Sequence, residues 1–269
     1  MGLKLTLHTQ PDVPLEAGIL APNKLNKLSP AEIAKSTLHH GNTPSTLADF
    51  FSVSGTADEE LILEGELSHI KHIGAGMTAG KLLIHGNVGA HLGAGMQGGT
   101  IRVEGNAGDW VAPEMSGGKI YISGNAGHMV GSAYRGSAAG MTGGEIIIKG
   151  NVGNETGHAM RNGLIAIGGN TGDFTGVNML AGTITVCGNM GIRNGAGMKR
   201  GTIISMQDTE MLPTFSYACR YHPTYLSIYL QYLATQGLDI DEAMVTGLYE
   251  RWCGDSVELN RGEILLYKG

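Results

Sequence analysis

The sequence predicts an all-β solenoid: a right-handed parallel β-helix of about seven coils, with a small N-terminal cap and an α-helical C-terminal cap. Three observations predict it. Gly-Asn pairs recur at 86–87, 105–106, 124–125, 150–151, 169–170 and 188–189, in steps of 19, 19, 26, 19 and 19 residues. Aligned on these pairs, Leu61, Leu82, Ile101, Ile120, Ile146, Ile165, Ile184 and Ile203 fall in one column. Two residues on come Leu63, Ile84, Val103, Ile122, Ile148, Ile167, Val186 and Ser205. Third, a methionine stands five residues before each aliphatic of the first column from Leu82 onward: Met77, Met96, Met115, Met141, Met160, Met179 and Met198.

The paired columns define the strands. Alternate residues of a strand face opposite sides, so aliphatics at i and i+2 with mixed residues between them mark a short strand with one buried face. Steps of this length leave no room for the helix that each crossover of a βαβ series requires. Three residues after each methionine stands a glycine (Gly80, Gly99, Gly118, Gly144, Gly163, Gly182, Gly201). Each coil must bend sharply into its next strand, and glycine reaches the φ > 0 conformations such a corner needs. The asparagines (Asn87, Asn106, Asn125, Asn151, Asn170, Asn189) are expected to form a ladder, each amide bonding to the coils above and below. The methionines read as flexible core filling.

Three segments follow. Residues 1–60 read as the N-terminal cap, with Ser29–Glu32 forming a capping box that starts a helix near Pro30. Residues 61–206 carry the repeats. Residues 207–269 read as a C-terminal cap or docking segment and hold seven of the nine tyrosines. There, 223–237 is expected to be a helix ended by Gly237, 241–252 a second helix, and the tail from Val257 a hairpin. Solenoids need such ends to blunt their exposed coils.

Composition narrows the function. The chain has 269 residues, 44 glycines and a formal charge of −6 with no run of Lys or Arg, so nucleic acid is a poor partner. No apolar run is long enough for a membrane span, and the first residues carry no apolar secretory core. Three unpaired cysteines (Cys187, Cys219, Cys253) suit a reducing cytoplasm.

No catalytic or metal-ligating set emerges. Gly93–Gly98 matches G-x-G-x-x-G, but a strand follows it where a dinucleotide fold needs a helix. His69 and His72 read as surface residues, and Cys187 as a structural thiol. Asp109 and Asp173 fall three coils apart, roughly 14 Å, too far for a glycosidase pair. Hexapeptide-repeat acyltransferases need aliphatics every sixth residue, and stepping on from Ile101 meets Ala107 and Pro113. Partner contacts are expected at Tyr134 and Arg135, in the coil with seven extra residues, and at Tyr225 and Tyr229.

The columns G-N-x-G … G-x-M-x-G-G-x-I-x-I/V, with "LSPAEIA", "PDVPLEAGILAPNKL" and the tyrosine-rich tail, resemble the C subunit of formylmethanofuran dehydrogenase. They also resemble its counterpart, the gamma (C) subunit, in the bacterial formyltransferase/hydrolase complex. A charged fraction of only 16%, unlike the Lys/Glu-rich composition of hyperthermophiles, favours the bacterial type. The C-terminal β-helix domain of the glutamate synthase large subunit shares the repeat. The resemblance implies a non-catalytic structural subunit that carries no cofactor itself. Its partners would be the amidohydrolase-type A subunit, the B subunit and the formyltransferase-type D subunit, with zinc and a methanofuran-type carrier held by the partners. It further implies transfer of formyl groups from tetrahydromethanopterin to that carrier and their hydrolysis to formate. The alternatives are the C subunit of a molybdenum or tungsten enzyme reducing CO2, and a stand-alone acyltransferase-like β-helix. Arg161, Lys199 and Arg200, near the corner after the methionine column, are candidates to meet an acidic carrier tail.

Overall fold

A computed structural model describes residues 2–269. The repeat supplies eight strands: β6 (Glu60–Glu64), β8 (Lys81–His85), β9 (Thr100–Val103), β10 (Lys119–Ile122), β11 (Glu145–Ile148), β12 (Leu164–Ile167), β13 (Thr183–Val186) and β14 (Arg200–Ser205). Each pairs parallel with the next, and the aliphatic columns are in register: Ile120 opposes Ile146, Ile146 opposes Ile165, and Ile165 opposes Ile184. No helix interrupts residues 86–206.

The ladder runs past both ends of the repeat. β1 (Leu3–Leu7) adds to β6 with Leu3 opposite Leu61 and Leu5 opposite Leu63, and β17 (Arg261–Tyr267) adds parallel to β14. Antiparallel strands close the two edges: β5 (Phe51–Ser54) on β1, and β16 (Tyr249–Gly254) then β15 (Ser216–Tyr221) on β17. The result is a 13-stranded sheet in the order β15-β16-β17-β14-β13-β12-β11-β10-β9-β8-β6-β1-β5. A second, four-stranded sheet joins β2 (Leu15–Glu16), β3 (Thr37–His40), β4 (Thr43–Thr46) and β7 (Ile70–Lys71). Helices are few: α1 (Pro22–Leu25), α2 (Pro30–Ala34), α3 (Thr224–Thr235) and α4 (Glu242–Thr246). α2 has the expected capping box between Ser29 and Glu32.

One core cluster runs along the repeat from Leu3 to Ile264, and a second packs between α3 and the sheet. Every aliphatic of the two predicted columns is buried, as are all seven methionines. The glycine column is explained by them: a Cβ on Gly99 would lie 2.6 Å from the Met77 methyl carbon, and Gly99 sits at φ +85°. The glycine therefore makes the corner and leaves space for the methionine of the preceding repeat. A further column of corners is made without glycine. His72, His91, Trp110, Met129, Glu155, Phe174 and Arg193 hold φ between 58° and 65° at equivalent positions, a conformation that costs an L-residue roughly 1–2 kcal/mol.

The asparagine ladder exists with a different bond from the expected one. Each Oδ1 accepts the backbone N–H of the next asparagine, from 2.9 Å (Asn106 to Asn87) to 2.7 Å (Asn151 to Asn125). Among the described residues, amide-to-amide bonds join only Asn106 to Asn87 and Asn151 to Asn125. The polar side chain thus satisfies a main-chain donor that the strand ladder no longer reaches.

Beyond residue 206 the expected elements need two corrections. The helix expected over 241–252 ends at Thr246, after Asp241 caps it through the Met244 N–H; residues 249–254 instead form β16. The buried Tyr249 and the in-register pairing of Tyr249–Gly254 with Gly262–Tyr267 show why: the segment completes the sheet. Accordingly the terminal hairpin pairs β16 with β17, while Val257 and Leu259 lie exposed in the intervening turn. The Asp255 carboxylate fixes that turn by accepting N–H bonds from Val257 and Gly197.

Candidate functional site

The repeats spend their corner polar groups on stacking. A second ladder, unseen in the sequence, runs beside the asparagines. Asp109 Oδ1 accepts from the His128 N–H (2.8 Å), His128 Nδ1 from Asn154 (2.8 Å), Asn154 Oδ1 from Asp173 (3.0 Å) and Asp173 Oδ1 from Ile192 (2.9 Å). Asp109 and Asp173 are thereby structural acceptors. Among the described residues no group of three or more His, Cys, Asp or Glu is arranged to hold a metal. Burial pushes the Cys187 thiol up to about 11, with Asp239 a smaller cause, so it stays protonated.

Two surfaces stand out. The first is built by the insertion. Tyr134 folds back over earlier repeats, its ring 4.9 Å from Trp110 and its hydroxyl 2.8 Å from His91 Nδ1. His91 in turn stacks on His72 at 4.6 Å and 9°. Tyr134 is thus engaged within its own chain, while Arg135 beside it is exposed. Burial, first, and mutual repulsion hold His91 below the ordinary histidine range; burial likewise lowers His72. Burial, first, and the Glu114 charge raise the Tyr134 phenol to about 12, so it stays protonated beside the imidazole.

Both histidines favour the neutral form when folded, so below about pH 6.5 the unfolded chain binds more protons and stability falls with pH. The melting temperature is expected to drop as the pH is lowered from 6.5 to 5, more shallowly in a His72→Phe/His91→Phe variant. Equal slopes in a pH series of melts would remove the stack as the cause. Carboxylates held below their usual range, such as Glu64 and Glu66, act only at lower pH.

The second surface lies under α3. Leu226, Leu230 and Leu233 bury one side of this helix against Ile147, Leu164, Ala166 and Ile204 on the outer face of the sheet. Lys119 Nζ donates to the Tyr232 hydroxyl (2.6 Å) and to Gln236 (2.7 Å), and Tyr232 donates to Glu145 (2.7 Å). That network ties the helix end to β10 and β11. A groove of about 540 Å³ runs between helix and sheet, lined by Glu145, Asn162, Leu164, Thr183, Ile228 and Tyr229 among others. Tyr225, Ile228 and Tyr229 are exposed, Ile228 by 73%.

The basic candidates lie at the same end of the strands. Lys199 is paired with Glu258 at 3.7 Å. Arg161 and Arg200 are exposed, and among the described residues no carboxylate pairs with either. Arg261, which the sequence did not single out, directly opposes Arg200 across the β14–β17 pair.

This architecture has a counterpart over its full length. A chain of the formyltransferase/hydrolase complex FhcABCD from Methylorubrum extorquens, crystallised with methylofuran, superposes with a TM-score of 0.93 at 32% identity, covering 99% of this chain and 100% of that one. The chain belongs to the family formed by the C subunits of formylmethanofuran dehydrogenase and of the Fhc complex. Within this family, local similarity is higher to the dehydrogenases. The C subunit of the tungsten-containing formylmethanofuran dehydrogenase 2 of Methanothermobacter thermautotrophicus is 44% identical over 89 residues, 31% of this chain and 33% of that protein. The Fhc C subunit of Methylorubrum extorquens is 34% identical over 86 residues, 31% and 32% of the two chains. These matches span about a third of the curated relatives' length. No protein-family model matches the chain. No described helix is long and apolar enough to cross a membrane.

Proposed function

We infer that this member of the C-subunit family is a non-catalytic structural component of a formyltransferase/hydrolase-type complex. The observation that carries the reading is the whole-chain likeness to a chain of FhcABCD. Consistent with it, the polar corner groups are committed to stacking ladders, so the repeats offer rigidity more than reactivity. The neighbouring proteins would be the A, B and D subunits, of which the amidohydrolase-type and formyltransferase-type members do the chemistry. Zinc and the methanofuran-type carrier would reside in those partners, and the assembly in the cytoplasm. The reaction would pass formyl groups from tetrahydromethanopterin to the carrier and release formate. A secondary role for Arg161, Lys199 and Arg200 at an acidic carrier tail is reduced by the Lys199–Glu258 pair.

The architecture behind this reading is a right-handed parallel β-helix of about seven coils over 61–206, capped by 1–60 and 207–269. Support comes from in-register pairing at each repeat, with a second line of bridges from Leu67 through Val88 and Ala107 to Ala126. A second functional reading, the C subunit of a CO2-reducing molybdenum or tungsten dehydrogenase, is favoured by the higher local identity. Purification from the native host decides. We expect the chain to co-purify with proteins whose joint preparation releases formate from the formylated carrier, while the isolated chain releases none. Turnover by the isolated chain overturns the structural role; a molybdopterin-bearing partner selects the second reading.

A further inference from the structure

We propose that the groove under α3, together with Arg161, Arg200 and Arg261, is the seat of an acidic segment with apolar anchors from another protein of the complex. The proposal rests on the assembly inferred above. Arg200 and Arg261 are in-register neighbours on adjacent parallel strands, roughly 4.8 Å apart, both exposed. Like charges placed directly opposite one another destabilise a sheet. The nearby acids do not relieve them: Glu263 is taken by Arg251 (2.6 Å) and Thr202 (2.8 Å), and Glu258 by Lys199. Glu145 is held by Tyr232 and Lys119. In a chain of net charge −6, this is an uncompensated positive spot, and its complement is a carboxylate-bearing surface.

The spot borders an apolar face. Arg200 precedes by two residues Thr202, the in-register neighbour of the groove residue Thr183, and Arg161 adjoins the groove residue Asn162. On the helix side, Tyr225, Ile228 and Tyr229 follow the i, i+3, i+4 spacing of one face and are all exposed. A polyanionic small molecule would neutralise the arginines and leave Ile228 in water. A peptide segment with both acidic and apolar side chains covers both features, giving an apolar centre with a charged rim.

The test uses the intact complex carrying a photo-reactive phenylalanine analogue at position 228, with the crosslinked peptide sequenced by mass spectrometry. The expected partner is a stretch of a different protein of the complex containing Asp or Glu beside apolar residues. An Arg200→Glu/Arg261→Glu variant should retain that protein roughly tenfold less well, while Arg200→Gln/Arg261→Gln, which removes the like-charge opposition, melts no lower than the parent. A crosslink to a second copy of this chain, to a carrier molecule, or to nothing in a complex that purifies whole overturns the proposal. So does undiminished retention by the charge-reversed variant. Failure of the unmodified chain to co-purify with any partner sinks instead the assembly on which it rests.

Discussion

Gly86→Ala is expected to destabilise the fold by on the order of 3–5 kcal/mol. Gly86 holds φ +138°, a conformation essentially reserved for glycine, and a Cβ built there lies 2.3 Å from the carbonyl oxygen of Gly65. That oxygen belongs to the backbone of the preceding repeat, where β6 and β8 are locked in register from Glu60–Lys81 to Glu64–His85. It cannot retreat without breaking the ladder, so strain and overlap add. Thermal and urea unfolding of the variant measure the loss. A variant melting within a degree or two of the parent would mean that the repeats can slide apart at this corner.

Ile165→Ala is expected to cost about 2–5 kcal/mol, several times the effect of Ile165→Val at about 0.5–1.5 kcal/mol. Ile165 is fully buried between Ile146 and Ile184. Its Cδ1 fills the space over Gly131, 2.6 Å from where a Cβ would stand. The cavity left by alanine has hydrogen-bonded strands on both sides and cannot collapse, which places the site toward the upper end of the range. Chemical denaturation of the pair reads the ratio, and comparable losses for both variants would show that this column tolerates voids. The contrast with Gly86 is instructive: one position fails by losing contact, the other by gaining it.

The repeat itself was readable because the same residue type recurs in each column. Met77 through Met198 and Leu82 through Ile203 announce their burial by identity alone. The second ladder was hidden for the converse reason. Asp109, His128, Asn154 and Asp173 are of three residue types and share only an acceptor atom at the right height. Joining of β1 to the sheet was signalled only by the alternation Leu3, Leu5, Leu7, whose partner strand lies more than fifty residues on. In the C-terminal segment the buried face of α3 was legible from Leu226, Leu230 and Leu233, but Tyr249–Gly254 is drawn into a strand by a neighbour rather than by its own pattern. The candidate surfaces were half visible. Tyr225, Tyr229 and Arg200 were named for their types, whereas the opposition of Arg200 and Arg261 exists only once two distant strands are paired.

Strands that stack in register, most of them nineteen residues apart, also make the molecule a length gauge. Deleting or duplicating a whole unit between β8 and β10 would keep the strand ladder in register and shift the four-stranded N-terminal sheet relative to the α3 groove by one strand spacing, roughly 4.8 Å. The number of units therefore sets how far apart two docked proteins could sit, in fixed increments, without any alteration to the surfaces that would hold them.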